Sequence, residues 1–173
     1  MGLDMSLTGK EYLSREDRKN FNITGIKLPD FEITQIEFEL AYWRKANPIH
    51  KWFVDNVQGG EDDCKEYYVN KEQLKELWLL CLKIKKEVIL VQDGEKNENT
   101  LEDGKFVQKK VPNMVIVNSD ICKKLLPSAS GFFFGSTEYD SYYMDDINNT
   151  IEQLKKILND GMKGIDIYYQ SSW

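Results

Sequence analysis

Two short stretches hold most of the residues able to bind or transform a ligand. Tyr42-Trp43-Arg44-Lys45-Ala46-Asn47-Pro48-Ile49-His50-Lys51-Trp52-Phe53-Val54 gathers two tryptophans, an arginine–lysine pair, an amide and the only histidine of the chain. Arg44 and Lys45 fall where a strand turns into a helix, close to the free backbone N–H groups of the helix start, and anions are stabilised there. Trp43 and Trp52 add flat faces for stacking. The combination suits a small anionic, nucleotide-like ligand. The same residues also suit a plain core, with Arg44 and Lys45 paired to Glu37, Glu39 or Asp55 and both tryptophans filling the interior. His50 divides in the same way, between a hydrogen-bonded core imidazole and a general base. As the partner of a nucleophile it needs a hydroxyl or thiol in reach, for which Ser130, Ser136 and Cys64 are available, and a third group to orient it. No G-x-S-x-G or H-E-x-x-H motif is present, so a hydrolase reading rests on His50 alone.

The second stretch is Ser128-Ala129-Ser130-Gly131-Phe132-Phe133-Phe134-Gly135-Ser136-Thr137, three aromatics between glycines and hydroxyls. It lacks the lysine of a phosphate-binding P-loop. Gly131 and Gly135 still allow backbone to approach a ligand, with Ser130, Ser136 and Thr137 donating. The alternative is a strand exit and helix cap, with Thr137 as the cap. Asp4, Asn47, Tyr139 and Gln170 complete the candidate ligand-binding set, on the expectation that a sheet brings these segments to one hollow.

The elements that must position them follow from periodicity. Ile36, Phe38, Leu40 and Tyr42 alternate with polar residues and predict a half-buried strand over 31–42. Asn47 as N-cap and Pro48 at the first helical position predict a helix over 48–58, ended by Gly59-Gly60. Leu3, Met5 and Leu7 predict a first strand, and 10–30 reads as an irregular connection with a helical turn at 14–19. Asn70 with Gln73 forms a capping box opening a helix over 71–86. Strands at 87–91 and 106–111 are joined by polar residues 92–100, read as a mobile hairpin tip; a short apolar run at 114–117 precedes a brief helix that stops before Pro127. Phe132 and Phe134 facing one way and Phe133 the other predict a central strand covered on both sides. Thr137 and Asp140 start a helix over 138–159, ending at Gly161 or Gly164, and Ile165, Ile167 and Tyr169 alternate in a last strand. The fold class expected is α+β in a single domain, residues 1–173, with a mainly antiparallel mixed sheet covered by three longer helices and with the first, second, Phe-rich and last strands central.

Composition excludes several functions. The net charge of −6 disfavours direct binding of duplex nucleic acid. Cys64, Cys81 and Cys122 share no metal-type spacing and suit a reducing cytosol, while Glu61, Asp62, Asp63 and Glu66 lack the EF-hand pattern and read as a solvated acidic loop. No metal or cofactor is called for. There is no signal peptide and no apolar run of about 18 residues, so no membrane partner is expected and the setting is cytoplasmic. Met1-Gly2-Leu3-Asp4-Met5-Ser6 fits an N-myristoylation pattern, and its alternation fits the first strand better.

Taken together, the opening Met1-Gly2-Leu3-Asp4-Met5, Tyr42-Trp43-Arg44-Lys45-Ala46-Asn47, the run from Ile49-His50-Lys51-Trp52 to Gln58, Ser130-Gly131-Phe132-Phe133-Phe134-Gly135-Ser136-Thr137 and the closing Ile167-Tyr168-Tyr169-Gln170-Ser171-Ser172-Trp173 resemble a family of uncharacterised phage and prophage proteins. Pro48 departs from the small residue usual there. The resemblance implies a viral setting in the host cytoplasm and no particular chemistry. Three expectations stand side by side: a small accessory protein binding an anionic ligand through Trp43, Arg44, Lys45 and His50; an inhibitor of a host or anti-phage defence protein acting through an acidic surface; and an enzyme with His50 as general base.

Overall fold

Alternation builds the sheet. In the computed structural model, which describes residues 2–20, 31–102, 104–160 and 162–173, Met5, Leu7 and Gly9 of β1 (Asp4–Tyr12) are buried, while Asp4, Ser6, Thr8 and Lys10 between them are not. This is the period-2 pattern of a strand with one covered face. After α1 (Arg15–Asn20), β2 (Gln35–Arg44) runs antiparallel to β1, setting Met5 opposite Trp43 and Leu7 opposite Ala41. The connection expected over 10–30 lies outside the described residues from position 21 onward.

α2 (Asn47–Asn56) starts one residue earlier than expected, and its N-cap is Ala46, which offers no side-chain cap. Asn47 is drawn away from capping because its amide bonds elsewhere. The far end matches the glycine expectation: Gly59 and Gly60 have φ of 68° and 87°, and Gly60 N–H donates to Val54 O at 2.8 Å. A three-residue strand not expected from sequence, β3 (Tyr67–Val69), precedes α3 (Lys71–Glu87), whose Asn70–Gln73 capping box is present in full.

β4 (Leu90–Glu102) and β5 (Lys105–Ile116) form a separate two-stranded ladder. The polar residues 92–100 are therefore mostly laddered strand and not a loose tip. A ribbon exposed on both faces needs no apolar alternation, and its cross-strand pairs supply the support, with Glu98 opposite Lys109 and Glu102 opposite Lys105.

α4 (Asp120–Leu125) leads into α5 (Ser141–Asn159), capped by Asp140, whose Oδ1 accepts from the amides of Tyr142 and Tyr143 at 2.9 and 3.2 Å. Thr137 plays no part in that cap. Of the two glycines expected to end the helix, Gly161 lies outside the described residues and Gly164 has φ of 78°. β6 (Asp166–Ser172) closes the main sheet, whose order is β2-β1-β6-β3 with every pair antiparallel.

Two expectations about which strands are central fail. β2 is an edge strand, and residues 132–134 lie in no strand at all: Phe132 is 94 % exposed. The central place belongs to β1 and β6, which pair along seven residues, so no slot remains beside them. The Phe segment turns instead, with Phe134 N–H donating to Gly131 O at 3.2 Å.

The covered face of the sheet packs on helices. Tyr169 of β6 stacks on Phe53 of α2, ring centroids 4.0 Å apart and nearly parallel, and Trp43 of β2 donates its indole N–H to Thr150 of α5 at 2.9 Å. α3 packs on α5 through Leu74, Leu77, Cys81 and Ile84 against Ile147, Ile151 and Leu154, all buried. Each fully buried apolar side chain of this size contributes about 1.5–3 kcal/mol.

Candidate functional site

The chain has only Lys45 and Ala46 in which to leave β2 and enter α2, and Lys45 absorbs the turn by adopting left-handed geometry, φ 59°. For a residue with a Cβ this costs roughly 1–2 kcal/mol, so the surroundings must hold it. They do so through backbone. Lys45 N–H donates to Leu3 O at 2.7 Å, Asn47 N–H donates to Lys45 O at 2.8 Å, and Leu3 N–H in turn donates to Phe133 O at 3.1 Å.

Asn47 then fastens the 128–136 loop to this corner. It is 2 % exposed; its Nδ2 donates to Ser136 O at 2.7 Å and Phe134 O at 3.1 Å, and its Oδ1 accepts from Ala129 N–H at 3.0 Å. Gly135 makes the close approach possible. It has φ of 87°, and a Cβ added there would stand 3.2 Å from Lys45 Cβ.

Between this corner and the first turns of α5 opens a cleft of about 450 Å³. Arg44, Lys45, Asn47, Gly135 and Ser136 line it together with Glu138, Asp140, Tyr142, Asp145 and Asp146. Arg44 is largely free, 61 % exposed with its Nε 4.0 Å from Asp4 Oδ1, and among the described residues no carboxylate pairs with Lys45. Burial, and then the nearby carboxylates of Asp145 and Asp140, push the Asp146 carboxyl up to about 7. Tyr142 donates to Glu98 Oε1 at 3.0 Å, with Lys96 Nζ 3.8 Å from the centre of its ring.

The residues selected from sequence thus separate into groups. Arg44, Lys45, Asn47, Gly135 and Ser136 meet in the cleft. Asp4 and Gln170 line a different hollow of about 280 Å³ on the outer face of the sheet, where Tyr42 donates to Asp4 and Gln170 donates to Cys64 O at 3.1 Å. Trp43 and Trp52 are core residues, 1 % and 5 % exposed, and offer no stacking face. Ser130, Gly131 and Thr137 sit on the exposed side of the loop; a Cβ at Gly131 would run into the Phe134 ring at 2.6 Å. Tyr139 braces the loop from behind by accepting from Ser128 N–H at 3.1 Å.

His50 is sealed, 1 % exposed. Its Nε2 lies 3.0 Å from Asp62 Oδ2 and its Nδ1 2.8 Å from the Tyr169 hydroxyl. A carboxylate only accepts, so Nε2 carries the hydrogen, and Nδ1 shares a hydrogen bond with the Tyr169 hydroxyl. Trp173 Nε1 donates to the other oxygen of Asp62 at 3.1 Å. No ring nitrogen is left for a substrate, and the imidazole ties α2, the 61–64 loop and β6 together. The acidic loop is correspondingly not all solvated: Asp62 serves His50, and Asp63 accepts from Tyr67 at 3.1 Å and pairs with Lys65 at 2.6 Å.

Sequence reasoning passed over Glu138, Asp140, Tyr142, Asp145 and Asp146. Three aspartates within seven residues at a helix start are the available signal, and of them only Asp140 has a use in the sequence reading, as the partner of Thr137 at the helix start. Among the described residues no group of three or more His, Cys, Asp or Glu could hold a metal ion, and no helix is long and apolar enough to cross a membrane. Comparison with protein-family models, curated proteins and solved structures finds no match to the chain.

Proposed function

We propose that this chain is a small phage-type accessory protein of the host cytoplasm that binds a small anionic, nucleotide-like ligand in the cleft between the Lys45 corner and the start of α5. The observation that carries the reading is Lys45 itself. A lysine is held in a backbone geometry that disfavours it, at the mouth of a cleft, beside Arg44 and without a counter-ion among the described residues. Strained residues held by an over-determined surrounding concentrate where ligands bind. Gly135 supports the same reading, since its lack of a side chain lets the loop backbone approach Lys45 closely.

Calorimetry of the full chain against a panel of mononucleotides tests it. A member that releases heat with the wild type and binds several-fold more weakly to Lys45→Gln and to Arg44→Gln is the expected result. A flat response to every member at high protein concentration refutes it. The alternatives gain less: His50 has no free nitrogen for general-base work, and Asp62 and Asp63 of the acidic loop are engaged inside the protein.

A further inference from the structure

The lining of the cleft carries both signs. Arg44 and Lys45 come from the end of β2, Glu138 from the loop before α5, and Asp140, Asp145 and Asp146 from the start of α5. Asp140 is used as the helix cap. The carboxyls of Asp145 and Asp146 accept no hydrogen bond among the described residues; Thr150 Oγ1 donates to the backbone carbonyl of Asp146 at 2.7 Å and leaves its carboxyl untouched. A ligand that is anionic throughout gains at Lys45 and meets like charge at the aspartates, and juxtaposed like charges oppose binding.

Resting on the binding reading above, we infer that the cleft takes an amphoteric ligand, with an anionic group held by Arg44 and Lys45 and paired N–H donors directed at the Asp146 carboxyl. A volume of about 450 Å³ lies in the range of small-ligand sites and admits a mononucleotide. Among purine monophosphates the guanine base fits this description best, because its ring N–H and exocyclic amine lie side by side and a carboxylate can accept both. Hypoxanthine keeps the first donor and lacks the second. Burial of Asp146 strengthens the discrimination, since a carboxyl shielded from water loses more when a donor is withheld.

The experiment is calorimetric titration of the full chain at pH 8 with GMP, IMP and ribose 5-phosphate, repeated on Asp146→Asn and Lys45→Gln after thermal melts confirm that both variants fold. GMP is expected to bind about tenfold more tightly than IMP, consistent with the loss of one well-placed hydrogen bond to a charged group. Ribose 5-phosphate should bind more weakly than either. Asp146→Asn should bring GMP and IMP within about twofold of each other, and Lys45→Gln should weaken all three alike. Equal binding of GMP and IMP to the wild type, a comparison that needs no variant, overturns the amphoteric assignment while leaving the anion site standing. Silence from all three phosphates overturns the anion site as well.

Discussion

Replacing Lys45 by glycine separates the backbone demand at that position from its charge. With φ at 59°, Lys45 carries the left-handed penalty of a residue with a Cβ, roughly 1–2 kcal/mol. Glycine removes the penalty and gives back roughly 0.5–1 kcal/mol through a more disordered unfolded chain. The folded state should therefore gain between nothing and about 1.5 kcal/mol. For a chain of this length 1 kcal/mol moves the midpoint by roughly 2–4 °C, so the melting temperature should hold or rise, by at most about 6 °C. Lys45→Ala keeps the Cβ and the strain and should show no gain. Both variants lose the cation and should weaken a phosphate-bearing ligand by about fivefold, the worth of one exposed charge at roughly 1 kcal/mol. Circular-dichroism melts with urea titration give the first quantity and calorimetry the second. If Lys45→Gly melts below both the wild type and Lys45→Ala, the corner is not strained and the reasoning fails.

Asn47→Ala should destabilise by about 2–4 kcal/mol, since two carbonyls and one amide of the 128–136 loop lose their partner at once, and urea denaturation measures it. Asn47→Asp keeps the acceptor for Ala129 and loses both donors, and should fall no less. His50→Phe should cost about 2–4 kcal/mol and loosen the Trp173 indole, visible as a change in tryptophan fluorescence, because Asp62 and the Tyr169 hydroxyl are both left without their shared partner. Asp146 makes stability depend on pH. Its folded value of about 7 lies above the ordinary 3.8, so the folded state binds the proton more tightly; this contribution is complete below about pH 4, declines as pH rises through 7 and is then level, and the decline should be absent in Asp146→Asn.

How much of this was legible depended on whether a pattern had one reading or two. β1, β6, α3 and α5 have a single periodicity each, and all four exist over the expected stretches; α3 starts at its Asn70–Gln73 box, while α5 starts three residues later than expected, because Asp140 caps it in place of Thr137. The Phe132-Phe133-Phe134 run has the composition of a buried strand, but whether a strand is central depends on a free neighbour, and β1 and β6 had already taken each other. His50 was open between core and catalysis because either role needs a polar partner, and Asp62, the deciding group, looked from the sequence like one more charge in a wet loop. Of the cleft, the cationic corner and the Gly135-Ser136 segment were readable; the aspartates were not, since Asp140 already had a use as the partner of a Thr137 cap and Asp145 and Asp146 follow it on a helix of ordinary pattern.

The β4–β5 ladder rests on the body through few points, chiefly Tyr142 against Glu98 and Lys96, the backbone hydrogen bond from Ile116 to Tyr139 and the bridge between Val115 and Asp140. Almost none of its side chains enter the core, and its turn at Gly104 lies in open space. The part beyond the Glu98–Lys109 pair is therefore a module: shortening it by whole rungs, or grafting an epitope tag or fluorophore peptide at Gly104, should leave the remaining sheet and the cleft intact. That makes the arm a natural handle for attaching this protein to a surface or a reporter.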